Sequence, residues 1–81
     1  MISLINAPYD KKLRIVGILG GHGIRRRLMS LGFYKNHIIA LDSKSILRGP
    51  VLIRDVNSDS SVALGRGIAK NIMVEIVESE K

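Results

Sequence analysis

The sequence has no cysteine. That excludes a disulfide-stapled scaffold, a thiolate-held zinc or iron–sulfur centre and a cysteine nucleophile. It has no tryptophan, two tyrosines and one phenylalanine, too few aromatic faces for a platform that stacks single-stranded bases. Acidic residues are scarce: seven Asp+Glu stand against 13 Lys+Arg, a net charge of +6. No run approaches the roughly 20 apolar residues of a membrane-spanning helix. Met1-Ile2-Ser3-Leu4-Ile5 reaches Asn6, Pro8 and Asp10 before anything like the apolar core of a secretion signal develops. A soluble cytoplasmic protein is the expectation.

What is present fits one small domain. Eighty-one residues leave no room for two domains with a cleft between them, so residues 1–81 read as a single unit. At 46% hydrophobic the chain is too apolar to stay disordered. The basic balance admits nucleic acid, anionic lipid or an acidic protein face without choosing among them.

Leu13-Arg14-Ile15-Val16-Gly17-Ile18-Leu19 alternates as a strand, with Leu13, Ile15 and Gly17 on one face. Gly20-Gly21 ends it. Ile24, Leu28 and Leu31 recur at i, i+4 and i+7 and predict a short helix over 24–31. Gly32 is placed as its left-handed stop and Phe33 as the hydrophobic residue that follows. Too short to survive alone, this helix must dock on something. Four more strands are predicted: His37 to Asp42, Val51 to Val56, Ser61 to Leu64 and Ile72 to Val77. A polar loop covers Ser43 to Gly49, Asn57-Ser58-Asp59 is a hairpin turn, and Ile68 to Asn71 is a helical or 3-10 turn. Glu78-Ser79-Glu80-Lys81 is an acidic tail expected to fray. Five short antiparallel strands and one small helix predict an all-β, partly closed barrel, since closure manages sheet edges at this size.

Catalysis finds little support, because no nucleophile, base and orienting group assemble at a recognisable spacing. His22 lies in a glycine loop and His37 opens a strand; they lack metal-ligand spacing and an evident carboxylate partner. Both read as surface histidines, with a transient divalent-metal site at His22 and His37 kept as the alternative. Gly21-His22-Gly23 and Gly65-Arg66-Gly67 begin like dinucleotide loops but carry Arg26 and Lys70 where the third glycine belongs. Asp55 to Asp59 begins like a calcium loop, but Ser60 stands at the glycine position and Arg66 at the bidentate glutamate. A turn with Asx-type bonding fits better.

Arg25-Arg26-Arg27 is the informative run. On the predicted helix it fills the first turn, where each exposed cation opposes the macrodipole by about 0.3–1 kcal/mol. Folding alone would favour Asp or Glu there, and such local rule-breaking marks function. Solvated arginine heads over apolar stems are the plain alternative. Lys35 extends the basic patch and Tyr34 offers an amphipathic anchor; Arg48 in the polar loop adds a second rim. These six residues form the candidate partner surface.

Several segments together resemble one family. They are Ile15 to Gly21, Arg27-Leu28-Met29-Ser30-Leu31-Gly32-Phe33, Gly49-Pro50-Val51-Leu52-Ile53, and Val62 to Glu75. In this order they resemble the FeoA family, ferrous iron transport protein A, from about Leu4 to Glu75. The resemblance implies an SH3-like barrel, with the short helix between strands one and two and the helical turn before the last strand. It also implies a small, non-enzymatic, cytoplasmic bacterial accessory of FeoB, the membrane importer of Fe²⁺ with a GTP-binding cytoplasmic part. Under it no resident cofactor, no DNA and no membrane insertion are expected, with contact to the inner membrane only through the transporter. A weak homodimer through an exposed edge strand stays open. Where the family has Pro-Gly after the helix, this chain has Lys35-Asn36, and Asn36 is expected to take the left-handed conformation in glycine's place. A small basic nucleic-acid-binding barrel is the runner-up function.

Overall fold

The computed structural model describes residues 1–9, 11–44 and 49–77, and of Ser43 and Lys44 the backbone alone. Arg48 and the acidic tail fall outside the described residues. Strand β1 is Ile2–Ser3, followed by a 3-10 turn over Leu4–Asn6. Then come β2 (Leu13–Ile18), helix α1 (His22–Ser30), β3 (Ile38–Lys44), β4 (Val51–Asp55), β5 (Ser61–Leu64), a single helical turn α2 (Arg66–Ala69) and β6 (Ile72–Ile76). All strand pairs are antiparallel, in the order β1-β6-β2-β3-β4-β5. The sheet stays open, with β1 and β5 at its edges.

The core lies along one face of this curved sheet. Leu13 and Ile15 on β2, Ile39 and Leu41 on β3, Val51 and Ile53 on β4, and Ile72 and Val74 on β6 all point inward and are buried. Each such side chain contributes about 1.5–3 kcal/mol by leaving water. Leu4 from the 3-10 turn, Leu28 and Phe33 from the α1 region, and Ala7, Leu64 and Ala69 complete the cluster.

Two bulges shape the sheet. One lies between Ile15 and Gly17 of β2 opposite β6, the other between Leu41 and Ser43 of β3 opposite β4. A bulge adds one residue to one strand and so reverses which face the following side chains take. The expected sharing of a face by Leu13, Ile15 and Gly17 therefore breaks at Val16. Beyond the bulge Ile18 stands opposite buried Ile72 and packs on the core, while Gly17 stands opposite Met73 and turns outward.

Other elements depart from expectation in small, explicable ways. A sixth strand exists, because two residues of the N-terminus pair with β6: Ile2 opposite Val74 and Ser3 opposite Met73. Strand β3 runs two residues into the expected polar loop. The turn before β6 starts at Arg66 rather than Ile68. Helix α1 begins at His22, not Ile24, so His22 is helical rather than in a loop.

Candidate functional site: the groove between α1 and β2

Helix α1 is set by its two ends. Gly20, at φ 105°, turns the chain out of β2, and a Cβ there would come 2.8 Å from Ile24 Cδ1. Glycine thus permits both the turn and the close seat of the helix. Gly21 is the N-cap and offers no side-chain cap. At the other end Gly32, at φ 91°, accepts the left-handed stop. The Phe33 N–H donates to the Leu28 carbonyl (2.9 Å) and the Gly32 N–H to that of Met29 (3.0 Å). This is the complete Schellman arrangement, with Phe33 and Leu28 buried together as its hydrophobic contact. Phe33 does the inward work expected of Leu31, which is 42% exposed.

The helix start corrects the reading of the arginines. With His22 first, Arg25 opens the second turn and Arg27 falls in the last turn, where a cation favours the macrodipole. The dipole conflict expected from the sequence is absent. What distinguishes these residues is their surroundings. Successive positions rotate by about 100°, so with Leu28 facing the core the three arginines cover the exposed arc of the helix: Arg25 toward β2, Arg26 outward, Arg27 on the far flank.

A groove of about 480 Å³ runs between α1 and the outer face of β2. Val16, Gly17 and Ile18 form its floor, and Arg25 and Met29 stand on the helix side. Phe33, Tyr34 and Lys35 close the opposite end. Met29 is 51% exposed and Tyr34 49%, so the groove shows solvent apolar side chains beside two cations, Arg25 and Lys35. Of the six sequence candidates, Arg25, Tyr34 and Lys35 come together here. Arg26 and Arg27 are exposed on the same helix but do not line the groove, and Arg48 lies outside the described residues.

Tyr34 and Lys35 owe their position to the following turn. The His37 N–H donates to the Tyr34 carbonyl (3.1 Å), and Asn36 sits at φ 74°. Asn36 takes the left-handed conformation as expected, and its N–H donates to the Ile15 carbonyl (2.6 Å), tying the turn to β2 at the bulge.

His37 is not a surface histidine. Its ring meets Phe33 edge-on at 5.9 Å and Tyr34 at 6.4 Å. Its Nε2 lies 3.0 Å from Asp55 Oδ2, both side chains being about four-fifths buried. The approach is hydrogen-bond length but misses hydrogen-bond alignment. His37 holds the Asp55 carboxyl below its ordinary value of 3.8; burial opposes this, and the Asn57 N–H, donating to Oδ1 at 3.0 Å, adds to it. That last bond is the Asx-type turn expected at the β4–β5 hairpin. The carboxylate partner missing from the sequence reading of His37 is thus Asp55, on a neighbouring strand. Among the described residues no three of His, Cys, Asp and Glu gather in a way that could hold a metal ion.

The charge pattern around the groove is one-sided. Asp42 and Asp59 pair with Arg54, at 3.3 and 3.8 Å, and Glu75 pairs with Arg14. With Asp55 on His37, every described carboxylate is engaged, and none of them at α1. One signal for this site is visible in the sequence. Residues 11–41 contain no Asp or Glu but seven of the 13 Lys+Arg. The groove floor, Val16 to Ile18, and Met29 carried no such signal, since only the bulge turns Gly17 outward.

Comparison with known proteins agrees with the resemblance. The profile of the FeoA domain matches residues 2–76. The crystal structure of an iron uptake regulatory protein (FeoA) shares 29% identity, covering 94% of this chain and 96% of its own, with a TM-score of 0.80. A FeoA-like protein from Clostridium acetobutylicum shares 25%, covering 99% and 91%, also at 0.80. In fold, the chain is also similar to FeoA of Stenotrophomonas maltophilia, solved with zinc and described as a prokaryotic SH3 domain protein: 24% identity, 93% and 91% coverage, TM-score 0.74. A comparison with curated proteins gave no match. The matched span takes in the whole sheet, both helices and the groove: the chain belongs to the FeoA domain family.

Proposed function

We propose that this protein is a cytoplasmic accessory of a FeoB-type ferrous iron transporter. It binds the transporter's cytoplasmic GTP-binding part through the α1–β2 face, as a regulator or assembly factor that performs no chemistry itself. It reaches the inner membrane only by way of that partner. The observation that carries this reading is the uncompensated basic face. Arg25, Arg26, Arg27 and Lys35 meet no described carboxylate, while every described carboxylate elsewhere is paired. Unpaired exposed cations beside an apolar groove suit an acidic protein surface, where charge steers encounter and the apolar centre holds the complex. No helix among the described residues is long and apolar enough to cross a membrane.

The test is retention of the purified chain on membranes carrying the transporter, with and without guanine nucleotide, beside iron uptake in cells. Charge reversal at Arg25 and Arg26 is expected to abolish both while the fold persists. Uptake unchanged by that reversal would sink the reading. Nucleic acid is the second ligand such a face fits, and a salt titration separates the two. Micromolar binding to duplex with a steep salt slope would favour nucleic acid.

A further inference from the structure

Gly17 stands where folding asks for no glycine. Glycine inside a strand weakens it, and a stability-selected sequence would carry valine or isoleucine there. Gly20 and Gly32 have left-handed backbones, and Gly21 and Gly65 are N-caps. Gly17 has neither reason. Its φ lies outside the left-handed range, and a Cβ built on it would meet no atom within 4 Å. The nearby bulge therefore does not require it. One reason for glycine on a strand is close approach of another molecule, and here the space a side chain would occupy opens onto the groove that Gly17 lines.

The chemistry around that floor defines what approaches. Val16 and Ile18, both half-buried, offer apolar surface, and Met29 supplies a wall that adapts to irregular shapes. Arg25 and Lys35 stand at the rim with no described carboxylate near them. A purely apolar occupant would leave those cations unused, and a purely acidic one would leave the floor wet. We propose that the groove over Gly17 seats one large apolar side chain of an acidic segment of the protein partner. Carboxylates flanking that side chain meet Arg25 and Lys35. Gly17 is then the residue that sets the depth of the seat. This rests on the reading above that the partner is a protein.

Three short labelled peptides test it with the full chain: glutamates flanking a central leucine, the same peptide with alanine at the centre, and one with lysines replacing the glutamates. Fluorescence anisotropy gives affinity, and amide shifts in NMR locate the contact. The leucine peptide is expected to bind and to move the amides of Val16, Gly17 and Met29. The alanine peptide should bind about tenfold more weakly, the size of losing a buried anchor, and the lysine peptide not at all. Gly17→Leu fills the seat and should weaken the leucine peptide by about tenfold without lowering the melting temperature. Gly17→Ala, a smaller intrusion, should give a partial loss and decides the matter if the larger variant fails to fold. The inference is overturned if no acidic peptide binds, if leucine and alanine peptides bind alike, if Gly17→Leu binds as wild type, or if the shifts lie off the groove. Preference for phosphatidylglycerol vesicles over the leucine peptide also overturns it. Transporter membranes run in parallel separate the two readings. Gly17→Leu retained while Arg25→Glu is lost leaves the transporter reading standing and removes the seat. A leucine peptide seated in the groove, with wild type not retained, does the reverse.

Discussion

The β3–β4–β5 side of the sheet and the α1 side handle charge in opposite ways. On the first, Arg54 serves both Asp42 and Asp59, and His37 serves Asp55. On the second, three consecutive arginines and Lys35 meet no described acid. Exposed ion pairs contribute only about 0.2–1 kcal/mol each, so neither arrangement decides whether the chain folds. What differs is what each leaves for a visitor. The paired side presents charges that are already engaged with one another. The α1 side presents cations around an apolar groove, fixed to the core by the Leu28–Phe33 contact. The two sides meet at His37, whose ring touches Tyr34 of the groove and whose Nε2 faces Asp55.

The largest effect should come from cutting the fixing point. Leu28→Ala is expected to cost about 2–5 kcal/mol, read as a lower urea midpoint. A loss below 1 kcal/mol would mean that α1 is not docked as described. Next in size is the reversal of the groove rim. Arg25→Glu with Lys35→Glu should reduce retention on transporter membranes about tenfold or more, yet shift stability by no more than about 0.5 kcal/mol. Arg54→Glu on the opposite side serves as the control. Equal loss of retention there would erase the distinction between the two sides.

Smaller still is the removal of a surface pair. Arg54→Ala should lower stability by about 0.2–1 kcal/mol per pair and leave retention unchanged, as checked by urea unfolding. The subtlest test concerns pH. Asp55 titrates below 3.8 in the folded protein because His37 stands beside it. Its contribution is therefore complete above 3.8 and is lost as pH falls through the folded value below that. His37→Asn should move the Asp55 carboxyl titration back up toward 3.8, followed by carbon NMR, and flatten the stability loss in that acid window. An unmoved Asp55 titration would show that the imidazole is not the cause.

Much of the local structure was legible because it depends on local chemistry. Gly32 followed by Phe33 announced the helix stop, Asn36 the left-handed turn, and Asp55 to Asp59 the Asx-bonded hairpin. The helix start was not legible, because the N-cap is Gly21 and the usual polar capping residue is missing. Strand β1 was invisible for a different reason: two residues carry no alternation, and only pairing with β6 makes them a strand. The bulge in β2 hid behind a perfect alternation of Leu13, Ile15 and Gly17.

The strand-rich antiparallel fold, the short docked helix, the absence of cysteine chemistry and the concentration of basic residues before Asp42 are all written in the chain itself. These follow from composition, period and turn residues, which act over a few positions. That Gly17 faces outward, that Arg25, Met29, Tyr34 and Lys35 share one groove, and that His37 meets Asp55 come from the folded arrangement alone. Each of those depends on register between strands distant in sequence. One inserted residue in β2 reverses a face, and no pattern within a single strand records it.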